Sequence, residues 1–322
     1  MAPTVSIRSC TAEEAADYFY KWPVSEEWNP GNQGHDLNQV YYNLDPESFF
    51  VGTIAEDGNP DKQTVVAIVS VVRYGKESAF VGFYIVAPEH RGKGYGLAVF
   101  QHALNHVEDR PCVGLDAVME QVHNYEKSGF TISSWENERR TGSADVILER
   151  LSSFETLEGK KVMNACDVPI EELYRLEEKY NGWNRPVFVS EWIKFHSNNA
   201  KYGRFSVAVM EEGKVLGYGC VRPAITSFRV GPLFAQSPDV AKAILYKLAK
   251  LATEALAQPD NDITPSVKNV FDIDIPIVNP QAVALFDELD MPNTFTTLRM
   301  WKGRKPEVDT EGIFGIATVE VG

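Results

Sequence analysis

The sequence has no run approaching eighteen consecutive apolar residues, so no helical membrane span is expected. It has no excess of basic charge either: 31 Lys and Arg stand against 45 Asp and Glu, a formal net charge of −14. A general nucleic-acid binder needs a basic face for phosphates, and this balance argues against that class. Cysteine is scarce. Cys10, Cys112, Cys166 and Cys220 contain no Cys-x-x-Cys pair, which argues against zinc or dithiol chemistry, and no metal is expected. There is no Asn-x-Ser/Thr acceptor, and the opening MAPTVSIRSC lacks the basic and apolar regions of a secretory signal. Free buried thiols in a reducing compartment, the cytoplasm, fit these absences.

What is present is an ordinary soluble composition over 322 residues, long enough for two domains with a core each. Residues 1–150 carry 12 Lys and Arg against 22 Asp and Glu, or −10; the rest carry 19 against 23, or −4. In the first half Thr4–Arg8 alternates like a short strand, and Thr11 with Glu14 three residues on reads as a capping box. Trp22–His35 is rich in turn formers and reads as a loop, followed by a short helix over about Leu37–Leu44. Phe49–Ile54, Thr64–Tyr74 and Ala79–Val86 read as an antiparallel meander, with a turn at Glu56–Pro60. After Gly94 the period becomes helical, with Leu97, Phe100, Leu104 and Val107 on one stripe. Cys112–Val118 is a strand and Val122–Lys127 a short helix.

From Lys161 the same order of elements returns, ending in a helix over Pro280–Leu289 and a strand over Phe295–Trp301. The joint falls in the polar stretch Phe154–Lys160, which divides the chain into residues 1–155 and 161–322. The expected class is α+β, with each half a mixed, mostly antiparallel twisted sheet flanked by helices.

The chemistry concentrates in Ala79–Gly96. A strand ends at Val86, Pro88 closes it, and Arg91-Gly92-Lys93-Gly94-Tyr95-Gly96 opens a helix. Three alternate glycines let the backbone turn tightly at a helix N-terminus, where free N–H groups and the dipole suit a phosphate or pyrophosphate. A dinucleotide fold is the competing reading, with Asp116 twenty residues after Gly96. Its Gly spacing differs, however, and the preceding strands look antiparallel. A bare glycine turn with no ligand is the bland alternative.

Arg91-x-x-Gly94-x-Gly96 resembles motif A of the GNAT family of acyl-CoA N-acyltransferases, and Tyr125-Glu126-Lys127-Ser128-Gly129-Phe130 resembles its motif B. The resemblance implies two tandem GNAT folds, with acetyl-CoA or another acyl-CoA as co-substrate and a small-molecule or peptide amine as acceptor. It implies that the backbone of Arg91–Gly96 holds the pyrophosphate and that Ile85 and Val86 pair with the pantetheine arm. Tyr125 is then the general acid toward the leaving thiolate. Val118 stands where the family often has Asn.

Asp116 is the candidate base on geometric grounds. Glu26, Glu27, Trp28 and His35 are acceptor-side candidates, since aromatics and carboxylates suit an amine. In the second half no Arg-x-x-Gly-x-Gly occurs, and Phe286 stands at the motif-B ring, so a degenerate copy without a working acyl-CoA site is expected. The rival from another class is a non-catalytic CoA-binding sensor or scaffold.

Overall fold

The structure is a computed structural model that describes residues 5–56 and 59–322. Thr4, and Asp57 and Gly58 of the expected turn, lie outside the described residues. The first half runs β1 (Ser6–Ser9), α1 (Ala12–Ser25), a π turn at Leu37–Tyr41 continuing as α2 (Tyr42–Leu44), then β2 (Phe49–Glu56), β3 (Asn59–Tyr74) and β4 (Ser78–Val86). It continues with α3 (Tyr95–His106), β5 (Cys112–Val118), α4 (Val122–Lys127), β6 (Ile132–Ser143) and α5 (Ala144–Arg150). The second half runs β7 (Lys161–Asn164), α6 (Ile170–Asn181), α7 (Pro186–Ser197), β8 (Phe205–Glu211), β9 (Lys214–Pro223) and β10 (Phe228–Ala235). Then come α8 (Pro238–Leu256), β11 (Val270–Pro276), α9 (Pro280–Glu288), β12 (Asn293–Gly303) and β13 (Ile313–Gly315).

Local chemistry accounts for the helix that leads to the site. Thr11 and Glu14 form the expected capping box on α1, the Glu14 amide donating to Thr11 Oγ1 at 3.2 Å and the Thr11 amide to Glu14 Oε2 at 2.9 Å. The helix runs past Trp22, where the sequence suggested a loop. Pro23 is buried, Trp22 packs edge-on to Tyr18 and the Glu26 amide still reaches Trp22 O at 3.0 Å. The chain turns only at Glu27 and Asn29, whose φ values are 60° and 53°. On α3 the apolar stripe is Val99, Phe100, Ala103 and Leu104; Leu97, expected on it, is 52% exposed in the first turn.

The strands form one continuous mixed sheet in the order β1-β2-β3-β4-β5-β12-β6-β11-β10-β9-β8-β7, with β13 beside β10. Among the described residues only β4–β5 and β10–β11 pair in parallel, and both are crossed by a helix, α3 and α8 respectively. The two repeats exchange strands at the centre. β12 of the second half lies between β5 and β6 of the first, while β6 lies between β12 and β11.

Alternation along β3 sends Ile68 and Val72 into a core shared by α1, α6 and α7, and Ala67, Val69 and Val71 into the core beneath α3. A third core lies beneath α5, α8 and α9.

The loop after α1 is clamped to the second half by buried charge. Asp36 accepts from Arg222 Nε at 2.8 Å and from Arg204 Nη1, with all three residues buried. Burial would raise the Asp36 pKa; Arg204 and Arg222 outweigh that and hold it at about 2. Because the folded value lies below the ordinary one near 3.8, this pair stabilises the fold above about pH 4 and is lost as pH falls through about 2. Asp36→Asn leaves two buried guanidiniums short of a counter-charge and is expected to cost about 3–5 kcal/mol at pH 7. Denaturant unfolding should show this loss shrinking between pH 4 and pH 2.

Candidate functional site

The strand pair β4–β5 builds the site by coming apart. Parallel pairing holds Ser78–Val81 against Cys112–Leu115, and beyond that point the two strands diverge. Divergence begins at a bulge. Ile68 pairs with Ile85 and Ser70 with Gly82, so Val69 alone faces both Phe83 and Tyr84. Phe83 sits at φ 51°, a left-handed conformation unusual for an aromatic residue. The bulge interrupts the β3–β4 ladder and bends β4 just beyond the point where it parts from β5.

A cavity of about 510 Å³ fills this cleft. Tyr84, Ile85 and Val86 form one wall and Asp116 and Val118 the other, with Tyr125 beside them. The loop after α1 brings Glu26 and Trp28 to it, and β12 brings Phe295 and Thr297.

At the mouth the chain passes through Arg91–Gly96. Gly92 and Gly94 take φ values of 74° and 84°, which only glycine adopts without strain, and Gly94 is the N-cap of α3. The Ala98 amide to Gly94 O, at 3.2 Å, is an early bond of the helix, so the amides just before it have no intrahelical acceptor. A Cβ on Gly96 would lie 2.5 Å from Val86 Cγ2 and 2.6 Å from Tyr84 Oη, so glycine there lets the helix start rest on the cleft wall. Arg91 through Gly94 are exposed. The Arg91 guanidinium donates from Nε to Val86 O at 3.0 Å and pairs with Glu26. It therefore ties the acceptor-side loop to the end of β4.

Tyr125, on α4, packs its ring near Phe100, Tyr84 and Phe130 at centroid distances of 5.5, 6.3 and 6.2 Å. Burial, with a further contribution from Tyr84, pushes its phenol well above the ordinary value, so it stays protonated at neutral pH. Burial likewise raises Tyr84, to about 12.

Asp116 lines the cavity, but both of its oxygens are engaged. Arg299 donates to them from Nε at 2.8 Å and from Nη2 at 2.6 Å, and Asn137 Nδ2 donates to Oδ1 at 3.0 Å. Burial raises its pKa and Arg299 opposes the rise without cancelling it. This pairing suits Asp116 to fixing the cleft wall rather than to taking a proton.

Two acceptor-side candidates are not brought to the cavity. Glu27 sits exposed at the turn after α1, and His35 packs edge-on to Tyr202 of the second half at 5.8 Å.

The second half repeats the geometry and fills it. β10 bulges at Gly231–Pro232 opposite Cys220, and β10 and β11 pair only over Phe228–Val230 and Phe271–Ile273 before parting. β13 occupies the gap, Leu233 pairing with Gly315 and Phe234 with Ile313, while the Ile316 amide donates to Asp274 O at 2.9 Å. The helix that follows β10 opens with Ser237, whose hydroxyl accepts from the Val240 amide at 3.4 Å, and no glycine loop precedes it. Past β13 the chain crosses the first bulge, where a Cβ on Gly82 would lie 1.9 Å from Glu320 O. Gly82→Ala must therefore displace residues 316–322, and denaturant unfolding should show a loss of about 1–3 kcal/mol.

Several cavity residues escaped sequence reasoning. Arg139, Phe295, Thr297, Val319 and Glu320 line the cavity from β6 and the second half. Arg139 is held by Asp274 at 2.8 Å and itself donates to Trp28 O at 3.0 Å. Nothing in the sequence order signals that β6 and β12 trade places.

Splayed parallel strands, a bulged wall and a glycine loop opening the next helix together define an acyltransferase fold of the GNAT type. The comparisons agree. A model of the "Acetyltransferase (GNAT) family" matches residues 8–130, and a model of an "Acetyltransferase (GNAT) domain" matches residues 173–315. The chain is 30% identical over 302 residues to holothin acyltransferase of Pseudoalteromonas sp. (strain SANK 73390), covering 94% of this chain and 90% of that one.

The fold matches a solved structure from Pyrococcus horikoshii at TM-score 0.73 and 20% identity, over 99% of this chain and 96% of that one. It also matches a tandem GNAT protein from the clavulanic acid biosynthesis pathway at TM-score 0.63 and 14% identity, over 94% and 100%. The chain belongs to the GNAT family as two tandem copies, and it is an acyltransferase. No helix among the described residues is long and apolar enough to cross a membrane.

Proposed function

We propose that the protein transfers an acetyl group, or a closely related acyl group, from its CoA thioester to a primary amine at the β4–β5 cleft. Residues 1–155 form the acyl-CoA-binding half, and residues 161–322 form a half without a working acyl-CoA site. The observation that carries this reading is the asymmetry of the two clefts. One stays open behind a positive-φ glycine loop, and the other is closed by β13.

Acyl-CoA fits the open cleft on its own terms. The Arg91–Gly96 backbone at the start of α3, exposed from Arg91 to Gly94, suits a pyrophosphate, and the edge of β4 at Ile85 and Val86 that faces the cleft suits the amide-bearing pantetheine arm. Lys93 and Arg91 add positive charge, Arg91 after exchanging Glu26 for phosphate. The bulge at Phe83–Tyr84 supplies the backbone donor for the carbonyl oxygen as charge develops there.

In this mechanism the neutral amine attacks the thioester carbonyl, the C–N bond forms and the C–S bond breaks. Tyr125 gives its phenolic proton to the departing sulfur, and the new amide nitrogen loses one proton to water. Tyr125 is suited to the step by its place beside the cleft and by carrying its proton at neutral pH. Asp116 fixes the wall through Arg299. The four cysteines are free, three of them buried, which accords with a reducing cytoplasmic setting.

The test is release of free thiol from acetyl-CoA across a library of primary amines, with amide formation confirmed by mass. Amine-dependent thiol release is expected. Acetyl-CoA binding without turnover of any amine would move the protein to a CoA-binding sensor.

A further inference from the structure

The acceptor end of the cavity holds a carboxylate that the proposed reaction has not used. Glu320 lies in the segment that leaves the filled second cleft and crosses the bulge of the first. It is 6% exposed. Its Oε1 accepts from Arg229 Nη1 at 2.8 Å, and its Oε2 has no hydrogen-bond partner. Arg229 is shared between two carboxylates, since its Nη2 donates to Asp274 at 2.8 Å. Burial alone would raise the Glu320 pKa, but Arg229 and Arg222 outweigh it and keep the group ionised at neutral pH.

A second acceptor without a partner, Thr297 Oγ1, lines the same cavity. Leaving a buried charged oxygen without a donor is costly, so a donor brought by a ligand is favoured at these two atoms. Three aromatic rings, Trp28, Phe83 and Phe295, line the same cavity and offer flat apolar surface. The nearby Arg139 pairs with Asp274 at 2.8 Å, and its guanidinium lies 5.2 Å from the Phe295 ring; Asp274 and Glu320 together balance Arg139 and Arg229.

We propose that Glu320 Oε2 anchors the ammonium of the acceptor, and that the acceptor is a small primary amine carried on a flat apolar body. Thr297 Oγ1 accepts a second N–H hydrogen bond, and the bound ammonium releases one proton to water before the neutral nitrogen attacks. This rests on the acyl-CoA reading of the adjoining cleft and assigns the other substrate of that site. It also gives the second half a role, since the segment emerging from its closed cleft delivers the recognising group.

The test uses the full chain. Calorimetry on protein saturated with CoA compares 2-phenylethylamine with its neutral isostere 2-phenylethanol, and steady-state assays compare acetylation of 2-phenylethylamine and spermidine. Wild type is expected to bind the amine at least about tenfold more tightly than the alcohol, as a charge-assisted bond requires. It should also prefer 2-phenylethylamine to spermidine, which has no apolar body. Glu320→Gln, which can still accept from Arg229, should erase the preference over the alcohol. In that variant KM for the amine should rise at least about tenfold, with KM for acetyl-CoA within about twofold of wild type.

An unchanged amine KM in E320Q, a better rate with spermidine, or no amine-over-alcohol preference would each overturn the assignment. If E320Q does not fold, the wild-type preference decides alone. Failure of acetyl-CoA itself to bind appears separately, in a titration without amine, and would remove the reading beneath this one.

Discussion

Replacing Gly94 with valine is expected to raise the acetyl-CoA dissociation constant by about 100-fold or more. Gly94 caps α3 at φ 84°, where a β-branched residue is strained, so the loop must rearrange. Rearrangement turns the amides of the first helical turn away from the phosphates. Loss of two charge-assisted hydrogen bonds, each about 1.5–3 kcal/mol, accounts for the size of the effect. Gly75 is the matching control. It also has positive φ, 59°, with open space around it, but it lies in the β3–β4 turn and not at the cleft mouth. Gly75→Ala should leave binding unchanged. Isothermal titration of both variants checks the contrast.

Tyr125→Phe is expected to lower kcat for acyl transfer by about 100-fold, the lower end of what a positioned general acid contributes. Acetyl-CoA affinity should stay within about twofold, because the ring remains packed against Phe100 and Phe130 and only the hydroxyl is lost. Product analysis under single-turnover conditions separates a slowed chemical step from slowed release. A variant with wild-type turnover would remove Tyr125 from the mechanism, leaving water as the proton source.

Much of this site was legible along the chain because backbone conformation restricts residue choice. Gly92 and Gly94 need positive φ and Gly96 needs contact with Tyr84 and Val86, so their spacing reports a loop built to expose amides. Thr11 and Glu14 announced the start of α1 for a similar reason: their reciprocal bonds are local.

What could not be read was non-local. β6, Ile132–Ser143, is mostly polar and shows no alternation, since it is held at the centre of the sheet by Arg139–Asp274 and Arg140–Asp287 rather than by apolar burial. The exchange of β6 and β12 therefore left no periodic trace, and with it went Phe295 and Thr297. α7 carries helical spacing in Phe188, Val189, Trp192 and Ile193 but no side-chain cap marks its start. Glu320 stands in an otherwise strand-like Thr-Val-Glu-Val-Gly stretch, where only the fold shows that it reaches the first cleft.

A single chain carries one open cleft and one closed by β13. Titration of the intact protein with acetyl-CoA in a calorimeter addresses this most directly. One molecule bound per chain, lost in Gly94→Val, is the predicted result. Two molecules per chain would mean that β13 yields the second cleft to a ligand, and no binding at all would contradict the assignment of the Arg91–Gly96 loop.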